Sequence, residues 1–372
     1  MSWSEFSLRS QGKETRLAAE KPAHADPIEL TRQLLKISSI SGEETEIARF
    51  MGRVLESLNY RVELQEVAAG RMNVIATSGK NPQVFFSTHL DTVPPPMPPG
   101  EDEDYLYGRG ACDAKGILAA QIAAAEQLRA EGETNLGFLL LVDEEVGSIG
   151  ARAANQHALA SSCQYLINGE PTDNKLAIAS KGSVRAKLRA EGRASHSAYP
   201  EQGESAIEKL LDVLARLREI RWPRDEFLGE TTCNIGVIGG GTRTNVIPFE
   251  AYADVQIRLV ADSEPVKQLL QQAAEGLARL EVLSIVEPVR LMAVEGFEEC
   301  IVRFTTDIPH LKNWGTPLLL GPGSILEAHS AHERILKTEI TRAVGLYAKL
   351  ARLLLGRARA SERNEDRTVA RP

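Results

Sequence analysis

The chain has few aromatic residues and still fewer cysteines: aromatics make up 5 % of its 372 residues, and there are four cysteines. Cys112, Cys163, Cys233 and Cys300 lie far apart with no paired spacing. That pattern fits reduced, mostly buried thiols better than a disulfide framework or a cysteine-type zinc site. An excess of basic charge is also missing. The formal net charge is −8, so neither nucleic acid nor an anionic membrane surface is an expected partner. No apolar stretch approaches membrane-spanning length, and Met1 to Ala25 lacks the apolar core of a secretory signal, so a cytoplasmic protein is expected. Internal repeats are absent. What is present, 43 % hydrophobic and 25 % charged residues, is ordinary for a globular protein, and the length favours two or more domains.

The informative stretch runs from Val84 to Gly116. Val84 to Phe86 reads as a buried strand, so His89 and Asp91 emerge together from its carboxyl end, where open α/β sheets place their chemistry. About twenty residues on, Asp113 stands where a glycine-rich turn becomes a helix, read over Asp113 to about Arg129. Leu136 to Val142 is a further apolar strand and ends in Asp143-Glu144-Glu145. Tyr165 to Ile167 ends in Asn168-Gly169-Glu170, and Pro317 to Leu320 leads through Gly321-Pro322-Gly323 towards His329 and His332. In a mostly parallel sheet the carboxyl ends share one edge, so His89, Glu144 with Glu145, Glu170 and His329 can converge, with Asp113 between them. Two imidazoles and three carboxylates suit zinc better than magnesium or an iron–sulfur cluster. A binuclear site follows, in which a free carboxylate moves the proton of an activated water to a leaving nitrogen, so the reaction is amide hydrolysis.

The remaining elements are read as follows. Asp26 caps and Pro27 starts a helix, and a second helix, capped by Ser41 with Glu44 three residues later, runs to about Leu58. Strands fall near Arg61 to Val67 and Val74 to Ala76. The proline-rich acidic loop of residues 94–104 reads as a solvated turn. A closing amphipathic helix covers about residues 333–357. Between Lys181 and about Val289 the rhythm changes to strand, helix, strand, strand, helix, strand, the order of a ferredoxin-like unit. The expected fold is thus an α/β catalytic domain, a mixed, mostly parallel sheet flanked by helices, over residues 27–180 and 291–357. Residues 181–290 form an inserted ferredoxin-like α+β lid, and 1–26 and 358–372 are tails, the latter read as disordered from about Arg357.

The motifs His89-Leu90-Asp91-Thr92-Val93-Pro94, Gly108-Arg109-Gly110 with Asp113-Ala114-Lys115-Gly116, Asp143-Glu144-Glu145, Gly169-Glu170-Pro171, Ser195-His196-Ser197-Ala198 and Gly321-Pro322-Gly323 with Ala328-His329 occur in order over about residues 27–357. Together they resemble the di-zinc amidohydrolase family that includes acetylornithine deacetylase, succinyl-diaminopimelate desuccinylase, aminoacylase and glutamate carboxypeptidase. The resemblance implies a zinc-peptidase-like fold and two Zn2+ ions, with Co2+ or Mn2+ as substitutes. Asp113 would bridge them, His89 and Glu170 would complete one, and Glu145 and His329 the other. Glu144 would be the general base, Asp91 the orienting partner of His89, and the peptide bond after Asp113 would be cis. It further implies a homodimer through the inserted domain, with His196 of one subunit polarising the scissile carbonyl in the other, and Arg258, Asn245 and Gly323 binding substrate. The sequence departs from the family pattern Ala-His-x-x-Asp-Glu at His332, and His329 is taken as the ligand by the Ala-His match. The loop after Pro94 departs as well. The expected activity is removal of a small acyl group from an N-acyl amino acid. A dipeptidase or carboxypeptidase acting on a peptide is the alternative. A non-catalytic metal- or amino-acid-binding dimer is the alternative of another class, against which Glu144 speaks.

Overall fold

The structure, a computed structural model, describes residues 26–369. All but one of the residues read as an amino-terminal tail lie outside these. A nine-stranded mixed sheet forms the body. At its centre the strands Leu136–Leu141, Val84–His89, Tyr165–Asn168 and Thr316–Leu319 lie side by side, all parallel. Their apolar composition follows from burial on both faces. Phe86 and Phe138 point to one face, against the helices Pro27–Leu35, Thr45–Ser57, Gly116–Ala130 and Lys337–Val369. Phe85 and Leu139 point to the other, where Trp314 and the short helix Ile149–Ala154 cover them. The hairpin Arg61–Ala68 with Arg71–Thr77 extends one edge antiparallel. The expected α/β class and mostly parallel sheet are thus borne out.

Residues between 182 and 286 build a separate four-stranded antiparallel sheet, in the order Thr232–Gly240, Glu250–Leu259, Gly182–Glu191, Arg279–Val286. Two helices, Ala206–Glu219 and Ser263–Ala274, cover one face through Leu210, Val213, Leu217, Val266 and Leu270. Val184, Ala186, Val255 and Ile257 answer them from the strands, as alternation along a half-buried strand requires. Order and pairing are those of a ferredoxin-like unit.

Several expectations on local structure are corrected. Asp26 does cap the first helix, accepting from the N–H groups of Ile28 and Glu29. Ser41 caps nothing: the second helix starts at Thr45, and the Ser41 hydroxyl donates instead to Asp91 Oδ2 at 2.7 Å. The helix read from Asp113 starts at Gly116, because residues 111–115 form a wider turn containing the cis Asp113–Ala114 bond. The second helix of the inserted unit stops at Ala274, two residues before Gly276 turns the chain at φ 75°. Arg334–Leu336 is not helical but pairs with Tyr105–Tyr107. The end read as disordered is helical as far as Val369, and Arg352 and Arg359 tie that helix to Glu131 and Glu133 beyond the Gly116–Ala130 helix. The 94–104 loop is no simple turn. Gly100–Glu101 pairs with Tyr105–Tyr107, and Glu101 is held by Arg32 and Lys337. No helix among the described residues is long and apolar enough to cross a membrane.

Candidate metal centre

The carboxyl ends of the four parallel strands open onto one cleft of about 400 Å³, walled on the far side by the inserted sheet. Asp113, Glu144, Glu145, Glu170 and His329 line it. His89, at the last position of its strand, is buried and places Nε2 at 2.9 Å from Asp113 Oδ1 and 4.0 Å from Glu170 Oε2. On the other side of Asp113, Oδ2 lies 3.4 Å from His329 Nε2, which is itself 2.9 Å from Glu145 Oε1. Each oxygen of Asp113 therefore addresses its own imidazole and its own glutamate. Ligand atoms of His89, Asp113 and Glu145 can all come within 4.8 Å of one another.

This donor set fits two cations. Ligands bound at ~2.0–2.2 Å to a tetrahedral ion lie roughly 3.3–3.6 Å apart, within the spread of distances seen here. The charges ask for the same thing. Without a cation, burial pushes the carboxyls of Glu144 and Glu170 well above their ordinary range, and the negative neighbours add to it, Glu170 beside Glu144 above all. Glu145 is raised by burial as well, against a hydrogen bond from His329. Burial works against the imidazolium of His89, yet Asp113 and Asp91 raise its pKa well above normal. Asp113 and Glu145 raise that of His329 to about 10. Burial would lift Asp113 too, but the hydrogen bonds from His329 and His89 hold it below the usual carboxylate range. Protons on two imidazoles thus stand where positive ions belong.

Asp91 stands beside His89 and also reaches the loop that carries the two glutamates. The nearest acceptor to His89 Nδ1 is the main-chain carbonyl of Asp91, at 2.9 Å, with the carboxylate at 3.6 Å. Its carboxylate chiefly grips the loop that carries the two glutamates: Oδ1 accepts from the Glu144 N–H at 3.1 Å, and Oδ2 from the Glu145 N–H at 3.2 Å and from Ser41. These bonds and the neighbouring His89 hold its carboxyl low in spite of burial. Asp143 and Ser148 bend the same loop with positive φ of 71° and 54°, and His329 sits at 59°, conformations that residues other than glycine adopt only when the surroundings fix them.

Sequence reasoning did not single out Glu333. It is fully buried, forms an ion pair with Arg109 at 2.7 Å, and its other oxygen accepts the N–H groups of Cys112 and Asp113 at 3.2 and 3.1 Å. Burial pushes its carboxyl up while Arg109 and the N–H groups of Gly110 and Asp113 pull it down. The turn carrying Asp113 is thereby anchored from residue 333. The Glu that ends the Ala-His-x-x-Asp-Glu pattern was the available signal. His332, by contrast, is exposed and does not reach the cluster. Cys112 is buried and donates to the Ser324 carbonyl, a packing residue as expected.

Of the substrate positions, Arg258 lines the cleft from the inserted sheet. Asn245 and His196 do not line it: His196 is exposed on the inserted unit, and the Asn245 carbonyl accepts the neighbouring Ser197 N–H. Gly323 is buried outside the cleft at φ 82°, where a side chain would strike Cys112 Sγ.

Known proteins resemble this chain over most of its length. Residues 178–281 match the peptidase dimerisation domain. A peptidase M20 domain-containing protein of Schizosaccharomyces pombe is 34 % identical over 363 residues, covering 94 % of this chain and 90 % of that one. A protein described as a probable carboxypeptidase of Aspergillus clavatus is 35 % identical over 373 residues, 88 % of this chain and 82 % of its own. Among solved structures, an M20 family metallo-carboxypeptidase from Sulfolobus solfataricus superimposes with a TM-score of 0.73 at 18 % identity, over 87 % of this chain and 98 % of that one. A dinuclear metal-binding M20 peptidase from Bacillus subtilis does so with 0.66 at 17 % identity, over 90 % and 99 %. At such identities the two structures speak for the fold alone.

Proposed function

Since the chain belongs to the M20 peptidase family, the family its motifs resemble, and is a metallohydrolase acting on a linear amide or peptide bond, we propose that it is a di-zinc carboxypeptidase or dipeptidase releasing a carboxy-terminal amino acid. The single observation carrying this reading is Asp113, with one carboxylate oxygen towards His89 and the other towards His329 beside Glu145, in a cleft shared with Glu144 and Arg258. His89, Glu170 and Asp113 would hold one ion, and His329, Glu145 and Asp113 the other. Ions held there would supply polarisation of a carbonyl oxygen and acidification of a water.

The rest is the work of side chains. Glu144 is aimed by its own N–H bond to Asp91, and the burial that raises its pKa makes it a competent proton carrier. Its carboxylate takes a proton from water as the C–O bond forms and delivers it to the nitrogen as the C–N bond breaks. Arg258, half-buried and opposite the cluster, would hold the free carboxylate of the substrate through its two-pronged head. The names of the S. pombe and Aspergillus relatives support a peptide over an N-acyl amino acid. Deacylation remains the second reading, favoured by the Gly321-Pro322-Gly323 and Ala328-His329 segment, which resembles that of acetylornithine deacetylase.

The domain division at 181 and 290 and a homodimer through the inserted unit belong to the same proposal. Among the described residues its outer strand Thr232–Gly240 pairs with Glu250–Leu259 alone, and it exposes Val237 and Ile238 at 46 % and 59 %. A partner subunit there would bring the second His196 towards the cleft. A cytoplasmic setting is supported by four unpaired thiols. The experiment is a panel of dipeptides and N-acetyl amino acids assayed with zinc, cobalt and manganese, for wild type and Glu144→Gln. Cleavage of dipeptides, lost by ~10²–10⁴-fold in the variant with metal retained, is the expected result. Near-normal turnover by Glu144→Gln removes the mechanism, and turnover of N-acetyl amino acids alone replaces the peptidase with a deacylase.

A further inference from the structure

The inserted sheet turns its helix-free face towards the cleft, and that face carries two kinds of charge. Far from the cleft the charges cancel: Lys187 pairs with Asp254 at 3.4 Å, and Arg189 lies 3.5 Å from both Glu250 and Glu281. Over the cleft they do not. The rows pairing Arg258 with Ser183 and Gln256 with Arg185 contain no acid. From the opposite wall, on the helix that follows the glutamate loop, comes Arg152. Among the described residues, the guanidinium groups of Arg152, Arg185 and Arg258 have neither a hydrogen bond nor an ion pair.

Among the described residues, the acids lining the cleft are Asp113, Glu144, Glu145 and Glu170. Two divalent ions would balance these four carboxylates, so the three guanidinium groups keep their charge for whatever enters. One of them suffices for the carboxy-terminal carboxylate of a peptide. Three, spread over two facing walls, are more than a substrate with one negative charge can use, and gathered around an apolar ligand they would repel one another with nothing to offset it.

We propose that the cleft selects substrates with a second carboxylate, a carboxy-terminal glutamate or aspartate, whose side chain is met by Arg152 and Arg185 from opposite walls while Arg258 holds the α-carboxylate. The inference rests on the hydrolase reading above and names its substrate class. Planar guanidinium groups suit this task because each can engage a carboxylate with two parallel N–H bonds.

The test compares isosteric pairs with the metal-loaded full chain: Ala-Glu against Ala-Gln, and N-acetylglutamate against N-acetylglutamine. The acid is expected to exceed the amide in kcat/KM by roughly 10-fold or more, chiefly through KM, with the ratio shrinking as salt is raised. Arg152→Gln and Arg185→Gln should each lower that ratio severalfold. Calorimetric binding of free glutamate against free glutamine gives a readout that needs no turnover. An acid-to-amide ratio at or below one, or a ratio that neither substitution moves, overturns the inference while leaving the hydrolase intact. If no member of the panel is cleaved, the hydrolase reading falls, and tighter binding of glutamate than glutamine would still uphold the anion selection.

Discussion

Replacing Asp91 by Asn keeps the shape of the side chain and removes its charge, and its effect can be worked out from three donors. Oδ1 accepts from Glu144, while Oδ2 accepts from Glu145 and Ser41. An amide has one oxygen to offer. Its better orientation keeps that oxygen towards Glu145 and Ser41, which turns the NH2 against the Glu144 N–H. One charge-assisted bond is lost beside the proposed base, and a donor then faces a donor. A hydrogen bond to a charged group contributes about 1.5–3 kcal/mol, so holding the loop in place becomes roughly 10- to 100-fold less favourable. The expected result is a fall of that order in kcat, with KM little changed and metal content, measured by elemental analysis, still near two ions per chain. Ser41→Ala, which removes only the hydroxyl donor, should cost less. If Asp91→Asn turns over at the wild-type rate, the view that this carboxylate aims Glu144 is wrong. If it instead loses metal in proportion to activity, the role expected from the resemblance, orienting His89, is the one that counts.

Glu333→Ala strands the buried Arg109 guanidinium and two N–H groups, a loss of about 3–5 kcal/mol for breaking a buried pair, to be read from the urea midpoint. An Arg109→Met, Glu333→Leu double variant should recover much of that, and equal costs for single and double variants would refute the pairing. His329→Ala should weaken metal binding at least tenfold in a chelator competition whereas His332→Ala should leave it unchanged; the reverse order would reassign the ligand. In metal-stripped protein the raised pKa of His329 gives a signed pH dependence. Stabilisation by its ion pairs is complete below the ordinary histidine value of about 6.5 and is lost as pH rises towards about 10, so Tm should fall across that window, and less so in His329→Ala. A Tm that rises there contradicts the pairing with Asp113 and Glu145.

Much of the arrangement could be read from residues alone because a parallel sheet imposes a common edge. His89, Glu145, Glu170 and His329 follow apolar strands, and the structure brings the two histidines to Asp113 and a glutamate to each histidine. What escaped was decided by partners far away in sequence. Ser41 with Glu44 has the local signature of a helix start, but Asp91 claims the hydroxyl and Arg71 claims the glutamate. Glu333 looked like the first residue of a helix, and its partner Arg109 lies 224 positions earlier. The last residues looked too polar to fold, yet among them Arg359 finds Glu133. Alternation along Gly182–Glu191 marks Arg185 as outward-facing, but that outward there means towards the catalytic cleft depends on how the two sheets meet.

The strands that leave and re-enter the body, Gly182–Glu191 and Arg279–Val286, run next to each other, with Ser183 opposite Val286. A side chain at Gly182 would run into the Val286 carbonyl, so the two crossings are pressed together. The whole inserted unit is thus hung from a single doorpost. Excising it and joining the stumps with a short turn should spare the nine-stranded sheet, leaving a body that folds and gathers its ligands but has nothing to close over them.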